Sequence, residues 1–376
     1  MKILVSAGEA SGDLYCSRLI NHLRQFGGEP LEFFGCAGPR MREAGVRTIV
    51  ESESLSVVGL VEVIAHIPRI YGEFRKLVAA AREEKPQLAI LTDSPDFHLR
   101  LAKKLKKLGI PVVYLVAPQA WAWRKWRARA MARDLAQLYC IFPFEEDFFK
   151  PYGVETRYIG HPLARIIQPR LTPEEFRNKH GFGKTKPIVT LLPGSRVGEV
   201  GRHLDVLIEA ARLIAQVRDV HFVWAIPPGF GQKAKLFEQQ LKGTVIKVVE
   251  GETWEAMAAS RVVLAASGTV TMEAALLGAP IVSFYRVSPI SWKLGRWLVD
   301  VPHFTMVNLI AGKRLVPELM QNDCTGSRIA AEALRLIDDG PERNEMIDGL
   351  AKVSRKLEGP DDPLEQAARH LRERFL

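Results

Sequence analysis

Three short stretches of the chain hold residues whose types and spacing can do chemistry. The first is Thr92-Asp93-Ser94-Pro95-Asp96-Phe97-His98. An apolar run over 87–92 reads as a strand, and Pro95 and Asp96 suit the first turn of a following helix. Asp93 therefore stands at a strand end, where a carboxylate can act as general base; read as a plain capping residue it does no chemistry. Asp96 reads as a capping acid, and His98 as a surface histidine of the helix start. The second stretch is Leu191-Leu192-Pro193-Gly194-Ser195-Arg196, a strand end followed by a glycine turn. A guanidinium matches phosphate bidentately, so Arg196 suits a phosphate leaving group. The third, residues 261–285, reads as strand (262–266), Ser267-Gly268-Thr269, helix (270–277), then strand (281–285). The first turn of that helix offers backbone N–H groups, hydroxyls and the positive dipole end, which suit a phosphate or diphosphate. Glu273 lies one turn further on and can accept hydrogen bonds from a sugar or ribose hydroxyl. The same turn also reads as an ordinary capped βα connection, and alone it does not separate the two.

The elements that must position these residues alternate almost from end to end. Strands are expected over 3–7, 31–36, 87–92, 111–116 and 138–142, with helices over 14–26, 70–84, 97–108, 124–135 and 145–152 between them. After a Pro- and charge-rich crossing at 161–186 the alternation restarts, with strands over 188–192, 221–226, 245–249, 262–266 and 281–285 and helices over 204–217, 233–241 and 254–259. This is doubly wound α/β order. It predicts two Rossmann-like domains, 1–165 and 166–326, facing across a cleft, with a C-terminal helical segment, 327–376, packed across domains or a dimer partner. In such sheets ligands bind outside the carboxyl ends of the strands. Two further loops fall there: Gly8-Glu9-Ala10-Ser11-Gly12-Asp13, which lets a ligand approach closely or is a compact turn capped by Asp13, and Gly35 to Arg40, whose arginine can meet a phosphate. The next, Gln119-Ala120-Trp121-Ala122-Trp123-Arg124-Lys125-Trp126-Arg127, interleaves tryptophan with basic residues. It suits a membrane interface, a lipid phosphate or stacked bases, or else a core-anchoring helix with a basic face. A related cluster holds Trp292 and Trp297.

The totals narrow the class. A chain of 376 residues exceeds one ordinary core, and 47% hydrophobic with 25% charged residues is a globular composition. The net charge of +9 favours phosphates, nucleic acid or anionic lipid without choosing among them. Four scattered cysteines form no CxxC pair, so neither a zinc site nor a disulfide framework is indicated, and a reducing cytoplasm fits. No signal-peptide core opens the chain. No apolar run is long enough to span a bilayer, so membrane contact is expected to be peripheral.

Taken together, GEASGD (8–13), GCAGPRM (35–41), VVGLVEV (57–63), DSPDF (93–97), APQAWAWR (117–124), PFE (143–145), GHPL (160–163), LLPGSR (191–196), ASGTVTMEAAL (266–276) and NLIAGKRLVPELMQ (308–321) resemble the lipid-A-disaccharide synthases. These are GT-B glycosyltransferases of lipid A biosynthesis, and the similarity runs through nearly the whole chain in one order. The resemblance implies transfer of a 2,3-diacylglucosamine unit from UDP to 2,3-diacylglucosamine 1-phosphate, giving a β-1′,6-linked disaccharide and UDP. Asp93 would be the base. Gly194, Ser195, Arg196, Ser267, Gly268, Thr269, Glu273 and, on the nucleotide-side loop, Asn308, Glu318 and Gln321 would bind UDP. Gly8, Glu9, Ser11, Gly12, Asp13, Arg40, Gln119, Trp121, Trp123, Arg124, Trp126, Arg127, Trp292 and Trp297 would meet the acceptor, its acyl chains or an anionic inner-membrane surface. No cofactor, metal or nucleic acid is implied; a cytoplasmic enzyme on the inner-membrane face, dimeric by exchange of C-terminal segments, is. The family commonly has Asn where this chain has His98, and LPN where it has Met306-Val307-Asn308. Two other classes remain from the residues alone: another UDP-sugar enzyme, such as a peptidoglycan glycosyltransferase or an epimerase, and a non-enzymatic basic module for nucleic acid or membrane.

Overall fold

A computed structural model describes residues 1–55, 60–288, 292, 301–359 and 361–376, and side chains of these except 60–66 and 123. The chain forms two compact units, Met1–Pro162 with Leu357–Leu376, and Leu163–Lys356.

The first unit is built on β1 (Lys2–Ala7), β2 (Glu32–Ala37), β3 (Arg47–Glu51), β4 (Leu88–Thr92), β5 (Val112–Leu115), β6 (Gln137–Cys140) and β7 (Thr156–Tyr158). Their order is β3-β2-β1-β4-β5-β6-β7, and every pairing is parallel. Parallel strands need crossovers, and the intervening helices cover the faces, which is why β4 and β5 are buried at every position. One face packs Leu4, Phe34, Leu91 and Tyr114 against Leu77, Leu101, Leu105 and Met131.

The second unit repeats the plan with β8 (Ile188–Leu192), β9 (His221–Ile226), β10 (Ile246–Glu250), β11 (Val262–Ala266), β12 (Ile281–Tyr285) and β13 (Glu318–Met320), in the order β10-β9-β8-β11-β12-β13 and again all parallel. In each sheet the order reverses once, between β1 and β4 and between β8 and β11. That is the switch point at which open α/β sheets bind ligands.

Three strands carry no sequence expectation: β3, β7 and β13. All three are sheet edges, short and half-solvated, so they lack the apolar run that marks an interior strand. Three helices start earlier than expected, at Ala10, Leu60 and Val197, because glycine and charge in the first turns of the first and third, and Pro68 inside the second, interrupt the helical pattern. The helices after residue 327 do not form one segment. Gly326–Ile337 packs on Val197–Ala215 within the second unit, whereas Pro363–Phe375 packs on Ala10–Gln25 in the first. There Leu364, Ala367, Ala368 and Leu371 are buried, and Tyr139 Oη lies 2.8 Å from His370 Nδ1. All four cysteines are free and buried, and among the described residues no helix is long and apolar enough to cross a membrane.

Candidate active site

At the first switch point the chain leaves β4 into a strained turn. Asp93 has φ 51° and Ser94 φ 37°, both left-handed. Among the described residues five non-glycines have positive φ, and four of them (Asp93, Ser94, Val116, Gln321) lie within two residues of a strand's carboxyl end. Backbone strain is kept where surrounding contacts enforce it. Here the Asp93 carbonyl accepts from His98 Nδ1 at 3.0 Å and from the Tyr114 hydroxyl. Its carboxylate turns to the start of the helix Ala10–Gln25, where Oδ1 accepts the Gly8 N–H at 2.8 Å and Oδ2 the Glu9 N–H at 3.1 Å. A Cβ on Gly12 would lie 1.9 Å from Oδ2, and one on Gly8 2.5 Å from Ser94 Oγ. The glycines of GEASGD are thus required by the approach of Asp93. The Asp93 side chain is only 12% exposed. Burial, opposed by the Gly8 amide and reinforced by Glu9, pushes its pKa up from 3.8 to about 7.

The stretch read as a substrate loop, 8–13, is helix from Ala10. Glu9 and Ser11 are exposed, as is Arg40. Asp13 is buried, and its oxygens accept the Arg40 N–H at 2.9 Å and the Met41 N–H at 3.0 Å. It caps the next helix, and its carboxylate is enclosed with both oxygens engaged.

His98 corrects the surface reading outright: it is 0% exposed. It lies on the buried face of Pro95–Lys107 with Leu101, Ala102 and Leu105, a spacing already present in the sequence. A carbonyl only accepts, so Nδ1 carries the proton, and Nε2 must accept from the Ser6 hydroxyl 2.7 Å away. Burial brings its pKa down to about 4, so the ring is neutral. His203 in the second unit repeats the device: Nδ1 donates to the Pro193 carbonyl at 2.6 Å and Nε2 accepts the Arg286 N–H at 3.0 Å.

The tryptophan stretch divides. Trp121 is enclosed, its N–H 3.2 Å from Glu145 Oε1 and its ring edge-on to Phe144. It anchors the core and does not present itself to a membrane. Glu145, which the sequence did not single out beyond its motif, also accepts the Ile141 and Phe142 N–H groups at 3.0 and 3.1 Å; burial pushes its carboxyl up to about 8. Arg124 and Arg127 both bond Asp96, and Arg127 is buried, so the two guanidinium groups share one carboxylate. Gln119 is exposed and Trp126 is 67% exposed. Trp292 is half-buried, its ring 5.9 Å from that of Phe304. The side chain of Trp123 and the whole of Trp297 lie outside the described residues.

At the second switch point Gly194 has φ 128°, and Arg196 is the N-cap residue of the helix Val197–Ala215. Glu199 occupies the centre of this turn. Its Oε2 accepts the Ser195 N–H at 3.2 Å, and its Oε1 accepts from Arg196 Nη1 and the Tyr285 hydroxyl, each at 3.2 Å. A carboxylate thus stands on the donors expected to meet a phosphate. Its place three residues after the cap, as in a capping box, is the sequence signal that could have found it. Across β11, the Ser267 N–H is taken by the Phe284 carbonyl at 2.8 Å, which removes it from the anion-binding donors. Gly268 and Thr269 are exposed, and no side chain caps the helix Thr269–Leu276 that they open. Glu273 accepts the Trp254 indole N–H at 2.9 Å, and burial raises its pKa above the usual carboxylate value.

The residues of the expected nucleotide-side loop are builders of that loop. Asn308 is fully buried and bonds the Val316 carbonyl and the Leu315 and Val316 N–H groups. Such a side chain has no ligand-facing atom, which corrects its expected contact with UDP. Glu318 accepts from the Phe304 and Thr305 N–H groups and the Thr305 hydroxyl, and Gln321 pairs with both backbone groups of Val287.

The chain matches the family model of lipid-A-disaccharide synthetase over residues 3–368. It is 58% identical over 358 residues to the lipid-A-disaccharide synthase of Solibacter usitatus, covering 95% of this chain and 93% of that one. To the synthase of Koribacter versatilis it is 42% identical over 378 residues, 98% and 97% of the two chains. Among solved structures, the UDP-GlcNAc 2-epimerase of Neisseria meningitidis bound to UDP-GlcNAc superposes with a TM-score of 0.64 at 11% identity, covering 99% of both chains. A spinosyn rhamnosyltransferase complexed with spinosyn aglycone gives 0.60 at 13%, covering 99% of this chain and 100% of that one. At such identities the structural likeness shows the shared GT-B type of fold alone, while the sequence relatives show more: the chain belongs to the lipid-A-disaccharide synthase family, glycosyltransferases of lipid A biosynthesis.

Proposed function

We propose that the chain joins UDP-2,3-diacylglucosamine to 2,3-diacylglucosamine 1-phosphate with Asp93 as the base. The 6-hydroxyl of the acceptor gives its proton to the Asp93 carboxylate as its oxygen attacks the anomeric carbon of the donor. The new carbon–oxygen bond forms on the face opposite the departing UDP, so the configuration inverts. The observation that carries this reading is the Asp93 carboxyl, held at a switch point with a pKa of about 7. A general base is most effective when its pKa lies near the working pH.

The second unit would hold the leaving group. Charge develops on the diphosphate as the anomeric bond breaks, and fixed donors stabilise it without reorganising. Arg196, with its side chain 54% exposed, the turn Gly194-Ser195, and the open helix start at Gly268-Thr269 suit that task. Glu199 would have to yield Arg196 to the phosphate. Glu273 would take the ribose. Glu318 and Gln321, with Asn308, would act by shaping the nucleotide-side loop.

The acceptor is amphiphilic, and peripheral docking on an anionic bilayer follows from the same reading. Exposed Trp126, Ile67, Tyr71 and Phe304 would seat at headgroup level, and the net charge of +9 would favour anionic lipid. The C-terminal helix could serve a homodimer as well as its own unit.

Mass-spectrometric analysis of product after incubation with the two diacylglucosamine substrates tests the reaction. Disaccharide 1-phosphate and UDP are expected, and loss of product in Asp93→Ala and Arg196→Ala with UDP still bound by the former. Turnover by Asp93→Ala near that of the parent protein would remove Asp93 as the base. Vesicle flotation indifferent to anionic lipid and to salt would remove the docking.

A further inference from the structure

We infer that His98 is a positioning residue for the base: a neutral imidazole that ties the Asp93 carbonyl to β1 and so holds the left-handed turn from which the carboxylate reaches the acceptor hydroxyl. The inference rests on the reading of Asp93 as the base.

Three adjacent strands converge on one carbonyl oxygen. Asp93, the residue just after β4, supplies it; β5 supplies the Tyr114 hydroxyl; and β1 supplies Ser6, which reaches it through His98. Ser6, Tyr114 and His98 are each fully buried, so water cannot replace any of these bonds. The left-handed conformation is unfavourable for a non-glycine residue, and two such residues stand in succession here. Locally, the Phe97 and His98 N–H groups both return to the Ser94 carbonyl at 3.0 Å, which closes the helix start but leaves the peptide after Asp93 free to turn. The orientation of that peptide is set by what its carbonyl bonds. If it rotates, the Cα–Cβ direction of Asp93 changes, and the carboxylate leaves the Gly8 and Glu9 amides that fix it.

The ring is suited to this work because it does not titrate with the base. Its pKa near 4 keeps it neutral while Asp93 exchanges its proton near 7. A cation there, 3.7 Å from Asp93 Oδ1, would favour the ionised carboxylate and weaken it as a base. The other titratable groups acting on the site are Glu9 on the helix start, Cys16 on the same helix, Cys36 on β2, and Tyr114 on β5. Burial holds both thiols and the phenol neutral, and the Asp13, Asp96 and Arg127 side chains act on these groups in turn.

The test compares His98→Ala, His98→Asn and Ser6→Ala in the full chain by steady-state kinetics across pH, with UDP titration and circular dichroism as controls. His98→Ala should lower kcat about 10–100-fold, the scale of a small misplacement of a reacting group, with UDP affinity unchanged. The acidic limb of kcat should move below about 7 toward ordinary carboxylate values as Asp93 gains water. Asn places an amide N–H where Nδ1–H stood and should restore most of kcat and return the limb. Ser6→Ala, which removes only the far partner, should shift both quantities in the direction of His98→Ala by less, and it decides the matter if His98→Ala does not fold. Unchanged kcat and limb in the alanine variants overturns the inference, as does His98→Asn performing no better than His98→Ala. Asp93→Asn separates the two levels: if it retains turnover, the base itself is wrong. If it is inactive while the His98 variants are normal, only the positioning role fails.

Discussion

Replacing Asp93 with Asn should stabilise the fold and abolish turnover together. The carboxyl is 12% exposed, and its pKa rises from 3.8 to about 7 on folding. Three units at about 1.36 kcal/mol each make roughly 4 kcal/mol of stability that the ionised group removes. The folded protein binds this proton more tightly than the unfolded chain, so stability from this group is intact below about 3.8 and falls as pH rises. The loss is complete above about 7. Asn never ionises. It keeps the Gly8 N–H bond through Oδ1 but turns an N–H toward the Glu9 N–H, which offsets about 1–2 kcal/mol of the gain. A net gain of roughly 2–3 kcal/mol is expected near pH 8. The mispaired amide does not depend on pH, so integrating the linkage gives a gain that shrinks by about 2.5 kcal/mol on going to about pH 5. Guanidinium unfolding of both proteins at the two pH values, read by tryptophan fluorescence, measures it. In the same preparations kcat should fall by about 10²–10⁴, the contribution of a positioned base. The parent kcat should rise with pH through about 7 to a plateau. A variant whose advantage is the same at both pH values, or which is less stable than the parent near pH 8, would refute the argument from burial.

Gly12→Ala puts a methyl 1.9 Å from Asp93 Oδ2 and should cost most of the activity while UDP binding in the second unit is kept; calorimetry with UDP separates these. Glu199→Gln removes the negative charge that holds Arg196 and Ser195, so UDP affinity should rise by about 3–10-fold, the scale of a charge-assisted hydrogen bond freed for the ligand; a weaker Kd would mean that Glu199 positions Arg196 instead of competing for it. Asn308→Ala takes the side-chain partner from the Val316 N–H and carbonyl in a fully buried place, while the Leu315 N–H keeps the Lys313 carbonyl, and should lower stability by roughly 2 kcal/mol with UDP affinity reduced through the loop; unchanged stability would contradict the builder role.

Much of this was legible in the residues. Strands 188–192, 221–226, 262–266 and 281–285 coincide with β8, β9, β11 and β12, because interior strands of a parallel sheet are apolar on both faces and stand out as short runs. The edges β3, β7 and β13 were not legible, for the converse reason. That Asp93 and Arg196 stand near the carboxyl ends of β4 and β8 was also legible, because the apolar runs that end just before them mark those strands. His98 and Trp121 were misread for a shared reason. A ring with a polar atom fits either solvent or an interior with a partner, and the partners, Ser6 and Glu145, lie 92 and 24 residues away in sequence.

The order of elements, the doubly wound class, the motifs and the family follow from the sequence itself, since local pattern and residue identity are properties of the chain. Tertiary structure decided the rest. Strand order put residues 8, 12, 98 and 114 around Asp93, and burial, which depends on neighbours and not on the residue, raised the pKa of an ordinary aspartate toward neutrality. The same burial assigned Asp13, Asn308 and Trp121 to building the fold, because a polar group enclosed by protein must spend its hydrogen bonds there.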